Sequence, residues 1–203
     1  MQKDQFGDLN TLTIHFGQGP YPQIWGIDSA RRAFLIGQLC HVFDLTRFLG
    51  GDVASVSALY REVTDTQFAY LVNLQFESGA IGQLDLNALE TKQGFRDIRE
   101  WVKLVGFESR MEIDGMQSLT WQPQDDWMAF DGRVGPFTYT MDPAWTGISD
   151  SAANFGYVGE VRHFALRCLG EVEGGPDLWD SYESLRLGEA VYEASETGET
   201  VEL

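Results

Sequence analysis

Period-two alternation of apolar and polar residues through the middle of the chain is the feature that most restricts its fold. Residues 53–60 and 68–76 both alternate in this way, and residues 80–88 continue the pattern after a turn at Ser78 and Gly79. Further short strands are indicated at residues 101–105, 110–113 and 119–121. The sequence therefore predicts a meander of at least five antiparallel strands with one covered face.

One strand and one helix are expected before this meander. Residues 10–16 indicate a short strand, and the glycine- and proline-rich segment after them cannot continue a strand or a helix. Residues 29–49 carry apolar side chains on most sides and end at Gly50 and Gly51, which favour a helix stop. This segment is predicted to be a single, largely buried helix.

Two helices and an edge strand are expected to close the chain. In residues 155–169 the apolar positions form one stripe at helical spacing. Residues 181–196 form the second helix, with Asp180 as its N-cap and Glu183 reaching back to the cap. The last residues, 198–203, are predicted to return as an edge strand.

These elements place the chain in the α+β class, with an open, mostly antiparallel sheet, helices packed on one face and no Rossmann domain. A length of 203 residues with 43% hydrophobic content suffices for one core, so a single domain is expected over residues 1–203. Residues 123–153 show no periodicity and are predicted as a long structured loop, for which packing is favoured over a functional role.

The charge balance argues against several classes of partner. Lys and Arg number 14 against 31 Asp and Glu, which gives a formal net charge of -17. Nucleic acids and anionic membrane surfaces need clustered cations, so neither is expected to bind. No run approaches the roughly 18 to 20 apolar residues that span a bilayer. Because Cys40 and Cys168 lie in apolar, helix-like runs, we expect buried, reduced thiols and a cytoplasmic protein.

Sequence motifs of self-contained chemistry are missing. The sequence has no G-x-G-x-x-G turn for a dinucleotide and no G-x-x-x-x-G-K-[ST] phosphate loop. It also lacks the G-x-S-x-G nucleophile turn and the H-E-x-x-H zinc helix. We therefore expect neither a cofactor site nor a metal site within this chain.

His41 is the histidine whose position requires an explanation. It lies in the most apolar predicted helix, where a titratable ring needs a partner or a cavity. Gly37, four residues earlier, costs about 1 kcal/mol relative to alanine and leaves one side of the imidazole open. From the residues alone, a hydrogen-bonded core histidine and a proton-transfer residue both stay open. His15 and His163 are expected to pack or to face solvent.

Five segments in order carry a pattern that extends over essentially the whole chain. FLIGQLCHVFDLTRFLGGD at residues 34–52 has the spacing H-x-x-D-x-x-x-x-x-x-G, formed by His41, Asp44 and Gly51, and a strand follows it. The others are FESGAIGQLDL at 76–86, VKLVGFESRMEID at 102–114, YVGEVRHFALRCLG at 157–170 and LRLGEAVYEASETGETVEL at 185–203. Together they resemble the C-terminal domain of the Gfo/Idh/MocA oxidoreductase family.

The resemblance implies a two-part protein. Members of this family have an N-terminal Rossmann domain that holds NAD or NADP, and a C-terminal domain that lines the substrate pocket and pairs subunits through its open sheet. Only the second part is matched, which implies that the cofactor belongs to the full-length protein and is not bound by this chain alone. A sugar, polyol or related hydroxyl compound is the implied substrate, and a homodimer or higher homo-oligomer through the sheet face is the implied assembly.

The resemblance also implies roles for individual residues. His41 matches the proton-transfer residue, which takes a proton from the substrate hydroxyl as hydride leaves the same carbon. Gln38, Gly37 and Trp25 are expected to bind substrate. The aspartate that the family places four residues before the histidine is replaced by Gly37, so the imidazole lacks a partner that would orient it. The family's Glu-Lys-Pro motif, which supplies a catalytic lysine, does not occur in this sequence.

A dehydrogenase domain that is inactive in isolation is the leading interpretation. One alternative is a non-catalytic domain of the same fold that senses a sugar or a nucleotide, and Gly37 in place of aspartate motivates it. Another is a domain that serves mainly to dimerise through one face of the sheet. The contact would use either the opposite face or the polar face, which carries Asn73, Gln75, Gln83, Asp85 and Asn87.

Overall fold

A computed structural model describes residues 6–90, 99–115, 118–122, 137–140 and 157–203. Within these ranges nine strands form one sheet. In chain order they are β1 Thr11–Gly17, β2 Val53–Thr64, β3 Gln67–Phe76, β4 Ile81–Asn87, β5 Arg99–Val105, β6 Arg110–Asp114, β7 Ser118–Gln122, β8 Phe137–Thr140 and β9 Val201–Glu202. Every predicted strand is present. Strand β8 falls inside the segment predicted as a loop, the rest of which lies outside the described residues.

The order of the strands differs from the predicted meander. It runs β8-β7-β6-β5-β1-β4-β3-β2-β9, so β1 lies between β4 and β5 and divides the meander into two. β1 is parallel to β4, with Thr11 opposite Ile81, whereas the other pairs between described strands are antiparallel. The mostly antiparallel sheet is confirmed, and the position of β1 corrects the predicted order.

Four α-helices and one π-helical segment lie in the described part of the chain. They are α1 Ala30–Ala33, the π segment Phe34–Gln38, α2 Cys40–Gly50, α3 Tyr157–Cys168 and α4 Leu178–Thr197. The single helix predicted over residues 29–49 is therefore three consecutive segments. None of the helices in the described ranges is long and apolar enough to cross a membrane.

Helix α4 begins about one turn earlier than predicted. Its N-cap is Asp177, whose carboxylate accepts hydrogen bonds from the N–H groups of Trp179 at 2.7 Å and Asp180 at 3.2 Å. The Asp180 carboxylate in turn accepts from the N–H of Asp177 at 2.9 Å. Asp180 is thus the reciprocal partner in the capping box and not the cap, and Glu183 lies outside it. After Gly198 ends the helix with φ +71, β9 pairs with the edge of β2 as predicted.

The core lies between one face of the sheet and the helices α2 and α4. Alternate residues of β3 from Phe68 to Phe76 are buried on this face, and Phe43 and Val191 pack from the two helices. The ring of Phe34 in the π segment lies 5.4 Å from that of Phe68, centroid to centroid. Full burial of one such side chain contributes about 1.5–3 kcal/mol. Helices on one face of the sheet are thus confirmed for α2 and α4.

Helix α3 lies apart from this core. None of its residues is buried, and Val161 and Phe164 on its predicted apolar stripe are exposed. Its Arg167 guanidinium donates to the carbonyl of Pro176 at 3.2 Å. The prediction of buried thiols is wrong for Cys168, which is exposed at the end of α3, and Cys40 is half-buried; both cysteines are free.

The opposite face of the sheet, here called the open face, carries mostly exposed side chains among the described residues. Four of the five predicted polar residues are exposed or half-exposed there, whereas Asn87 is buried and donates to the Glu90 carboxylate at 3.3 Å. The register aligns Leu59 with Leu71 and Leu71 with Asp85, so exposed leucines lie beside the polar residues. The open face is therefore partly apolar, which its sequence pattern did not predict.

Candidate functional site

A π-helical turn interrupts the helix that carries the candidate residues. The N–H of Leu39 donates to the carbonyl of Phe34, five residues earlier, at 2.9 Å. An α-helical N–H donates to the residue four earlier, so this turn contains one additional residue. Such turns are rare and frequently occur at functional sites.

The additional residue changes which side chains face the core. The buried stripe of α1 passes through Ala30 and Phe34, and in an uninterrupted α-helix it would continue to position 41, seven residues after Phe34. After the π turn it passes instead through Leu39 and Val42, both buried. His41 consequently lies on the exposed side of α2.

His41 is exposed, so it is not the hydrogen-bonded core histidine that was one of its two possible roles. In the ranges that the structure describes, no group is hydrogen-bonded to this ring. Asp44, one turn further, accepts a hydrogen bond of 3.4 Å from the hydroxyl of Ser184 and so connects α2 with α4. An accessible imidazole with unoccupied nitrogens is able to exchange a proton with a ligand.

The open side predicted at Gly37 is occupied by Trp25. A Cβ added to Gly37 would overlap Cζ3 of the indole and would lie 2.6 Å from Cε3 and 3.0 Å from Cη2. Optimal carbon–carbon separations are about 3.5–4.0 Å, so any side chain at this position would displace the ring. Two of the predicted substrate-binding residues are thus in contact, and the space beside Gly37 is not available to a ligand while the indole stays there.

Trp25 is presented by a tight turn. Its φ is +57 and that of Gly26 is +72, and the N–H of Ile27 donates to the carbonyl of Ile24 at 3.1 Å. Two consecutive left-handed residues inside such a bond are typical of a type I′ turn. The Gln23 amide donates to the carbonyl of Ile27 at 2.6 Å. The turn carries an indole that is 68% exposed.

Gln38 and Cys40 are half-buried residues at the end of the π segment. The Cys40 thiol donates to the carbonyl of Gly37 at 3.3 Å. Burial raises the pKa of Cys40, so it is a protonated thiol at neutral pH and a poor nucleophile. Among described residues no hydrogen bond joins Gln38 to His41 or Trp25. The four candidates are neighbours along one helix and one turn, and the close approach of Trp25 to Gly37 is the tertiary contact that the structure shows among them.

His15 on β1 has the partners that His41 lacks. Its Nδ1 lies 3.0 Å from Oδ2 of Asp85, and its Nε2 lies 3.0 Å from Oε1 of Glu90. The sequence prediction of packing or solvent exposure missed this cluster, because its carboxylates come from β4 and the turn after it. Only knowledge of the parallel pairing of β1 with β4 could have revealed it. The described ranges contain no group of His, Cys, Asp and Glu side chains arranged to hold a metal ion.

The described residues do not include an arrangement that fits the pyrophosphate of a nicotinamide nucleotide. A pyrophosphate site needs a glycine-rich turn between a strand and the N-terminus of a helix. The strand–helix connection after β1 contains Gly19 and Gly26 without the required spacing, and α1 has only four residues. Ser29 already caps that helix by accepting from the N–H of Arg32 at 3.3 Å. We therefore derive no step through a nucleotide held by these residues.

The mixed sheet with its helices agrees with the alpha/beta domain of an oxidoreductase family. Residues 2–203 match the model of an oxidoreductase family, C-terminal alpha/beta domain. The chain belongs to this family, Gfo/Idh/MocA, as the five sequence segments indicated.

Several proteins of known name or structure are similar to the chain. It is 28% identical over 171 residues to a D-apiose dehydrogenase from Paraburkholderia graminis, which covers 80% of this chain and 43% of that protein. A dehydrogenase from Chromobacterium violaceum has a TM-score of 0.80 at 21% identity, covering 97% of this chain and 56% of the other. Levoglucosan dehydrogenase in complex with NADH and levoglucosan has a TM-score of 0.75 at 16% identity, with coverages of 99% and 60%. The chain thus spans about half the length of these proteins, and the structural likeness establishes the shared fold.

Proposed function

We propose that this chain is the substrate-side and oligomerisation domain of an NAD(P)-dependent dehydrogenase acting on a sugar, a polyol or a related hydroxyl compound. The observation that carries the proposal is the exposure of His41 directly after the π turn. No described residue forms a hydrogen bond with its ring. Similarity to a D-apiose dehydrogenase and to levoglucosan dehydrogenase supports the substrate class.

His41 acts on the substrate proton in this proposal. Oxidation of an alcohol removes a hydride from carbon and a proton from the hydroxyl, and imidazole is suited to accept that proton near neutral pH. The hydroxyl has to approach the ring nitrogen to about 2.6–3.2 Å. Because Gly37 carries no carboxylate, the substrate and the packing of α2 have to orient the ring.

The hydride acceptor, NAD or NADP, is held outside residues 1–203 in this proposal. Levoglucosan dehydrogenase binds NADH in a chain of which the present one covers 60%. The present chain likewise covers 58% of an oxidoreductase from Agrobacterium radiobacter, whose structure contains NAD+ and L-tartaric acid. We also propose a cytoplasmic setting, in which the two free cysteines stay reduced.

The open face of the sheet is the proposed contact with a second copy of the chain. Leu59, Leu71 and Ile81 are exposed on this face beside Asn73 and Gln83. An apolar centre with polar neighbours is typical of homodimer contacts. Sedimentation of wild type and of Leu71→Glu tests the assignment: a dimer that becomes a monomer supports it, and an unchanged sedimentation coefficient contradicts it.

A non-catalytic sensor of the same fold is the second candidate, and Gly37 favours it because no carboxylate supports the histidine. The full-length protein, assayed with NAD+ and NADP+ against aldoses, cyclic polyols and 1,6-anhydro sugars, distinguishes the two. Oxidation of at least one compound is expected for the dehydrogenase. Binding by calorimetry without oxidation would instead establish the sensor.

The location of the cofactor site is tested with the isolated chain of 203 residues. Titration with NADH, followed by nucleotide fluorescence, is expected to show no saturable binding. Saturable binding would contradict the proposal that other residues hold the nucleotide. Bovine serum albumin at the same protein concentration controls for non-specific fluorescence changes.

A further inference from the structure

We propose that Trp25 is a stacking platform for the ring of a cyclic sugar or cyclic polyol, and that Gly37 provides the space in which its indole sits. This inference rests on the proposed function and adds how the substrate is positioned. It begins from the contact between the two residues, in which a Cβ at position 37 would overlap the indole.

The backbone of Trp25 has a conformation that tryptophan disfavours. A φ of +57 lies in the left-handed region, which is uncommon for bulky residues, and type I′ turns favour Asn, Asp or Gly. Folding does not require an indole here, because 68% of the residue is exposed. A single exposed aromatic residue is ordinary on a protein surface. Exposure combined with an unfavourable φ is characteristic of ligand sites.

The turn that presents Trp25 is fixed at both ends. Ile24 and Ile27 pack against the core, and the N–H of Ile27 donates to the carbonyl of Ile24 at 3.1 Å. The Gln23 amide adds a second hydrogen bond, to the carbonyl of Ile27 at 2.6 Å. An aromatic side chain held in this way loses little conformational entropy when a ligand binds.

The indole meets Gly37 with an edge and not with a face, and 68% of the residue is exposed. Cζ3 is the atom nearest to the added Cβ, and the distances increase on both sides, to 2.6 Å at Cε3 and 3.0 Å at Cη2. An aromatic face carries partial negative charge. The C–H bonds on one side of a sugar ring are polarised by neighbouring hydroxyl groups and are complementary to it. An open-chain polyol presents no such rigid surface, so the platform selects cyclic substrates.

The platform lies one turn before the proposed proton acceptor. Gly37 precedes His41 by four residues, which corresponds to about 6 Å along a helix axis. A ring stacked on Trp25 can therefore extend a hydroxyl toward the imidazole. The aspartate that the family resemblance predicts at position 37 could not coexist with this indole, because its Cβ alone would overlap the ring. Aromatic stacking takes the place of that carboxylate in positioning substrate.

Four variants of the full-length enzyme test the platform, assayed with the cyclic compound that the wild type oxidises best. Trp25→Leu retains apolar bulk without an aromatic face and is expected to raise KM about tenfold, with kcat changed less than about threefold. Trp25→Tyr keeps an aromatic face, so its KM is expected within about threefold of wild type. Gly37→Ala displaces the indole and is expected to match Trp25→Leu. Adding Gly37→Ala to Trp25→Leu is expected to change KM no further, because both act on one contact.

A stability measurement separates ligand binding from packing. Trp25→Asn relieves the unfavourable φ and is expected to raise the midpoint of thermal unfolding by about 2–4 °C while it raises KM. A lowered midpoint would show that the indole is a packing element and would overturn the inference. Gly159→Ala is the matched control for Gly37→Ala, because nothing lies within 4 Å of its added Cβ, and its KM is expected to equal that of wild type.

The outcomes distinguish this inference from the proposed function. If no sugar or polyol is oxidised by the wild type, the dehydrogenase assignment itself fails. If oxidation occurs and Trp25→Leu leaves KM within about twofold of wild type, the platform is refuted and the dehydrogenase stands.

Discussion

His15 on β1 and His41 on α2 occupy two environments that differ in how the ring nitrogens are used. Both nitrogens of His15 face carboxylates at 3.0 Å, one of Asp85 and one of Glu90. The ring of His41 is exposed and makes no hydrogen bond in the part of the chain that the structure describes. The first arrangement connects two strands and a turn, whereas the second leaves an imidazole accessible to a ligand.

Sheet pairing and helix irregularity explain this difference. The parallel register places His15 opposite Asp85, and Gly17, two residues later, leaves space for the carboxylate of Glu90. In the helix, the additional residue of the π turn rotates His41 away from the core. Contacts between strands that are distant in sequence give the His15 ring its hydrogen-bond partners. A local change in helical period exposes the ring of His41.

The largest expected effect is on turnover. Its absence would contradict the difference in role between His41 and His15. His41→Ala in the full-length enzyme is expected to lower kcat by about 10²–10⁴-fold, because positioned proton acceptors contribute factors of this size. His15→Ala is the control and is expected to retain kcat within about threefold, since its nitrogens serve the structure. Steady-state kinetics with the best substrate measure both. Equal losses in the two variants would contradict the assignment of His41.

The second expected effect concerns Gly17 and the stability of the His15 cluster. A Cβ at Gly17 would overlap the Glu90 carboxylate and displace this flexible side chain from His15, so Gly17→Ala is expected to lower the free energy of unfolding by about 1 kcal/mol. Urea unfolding of the purified chain measures the change. Gly159→Ala on exposed helix α3 is the matched control and is expected to stabilise by up to about 1 kcal/mol, because its Cβ meets open space. A neutral Gly17→Ala would show that Glu90 need not reach His15.

An effect no larger than this is expected when the histidines themselves are removed and stability is compared. His15→Ala leaves Asp85 and Glu90 without their shared partner and is expected to cost about 1 kcal/mol in the free energy of unfolding. All three side chains are partly exposed, which keeps the value small. His41→Ala is expected to stay within about 0.5 kcal/mol of wild type. A larger loss for His41→Ala would mean that its ring supports the fold.

The fold followed from sequence where the signal was local. Alternation identified the strands in the middle of the chain, and capping chemistry located α4 to within a turn, although it selected Asp180 where Asp177 is the cap. The insertion of β1 between β4 and β5 was missed, because it depends on pairing between residues about seventy apart, such as His15 and Asp85. Strand β8 was missed because no periodicity surrounds it.

The residues of the candidate site remain a prediction, and their arrangement depends on features that residue spacing does not show. Gly37, Gln38, His41 and Trp25 all lie on the irregular helix or on the turn before it. A core position for His41 stayed open in the sequence, because the sequence carries no marker of the hydrogen bond from Leu39 to Phe34 that adds a residue to the turn. The occupation of the Gly37 space by Trp25 depends on tertiary packing, which residue spacing cannot show.

The smallest expected effect is on thermal stability, and it concerns a carboxyl group on the covered face of the sheet. Glu100 lies opposite Phe16 on β5, and burial raises its pKa. The folded state therefore binds this proton more tightly than the unfolded state, so stability falls as pH rises through the folded pKa. Glu100→Gln removes this cost and is expected to raise the midpoint of thermal unfolding modestly at neutral pH and not in acid. Glu199→Gln, at an exposed position, is the control and is expected to leave the midpoint unchanged. An equal rise of the midpoint in both variants would contradict the role of burial, because it would follow from the reduced net charge of a chain that carries -17.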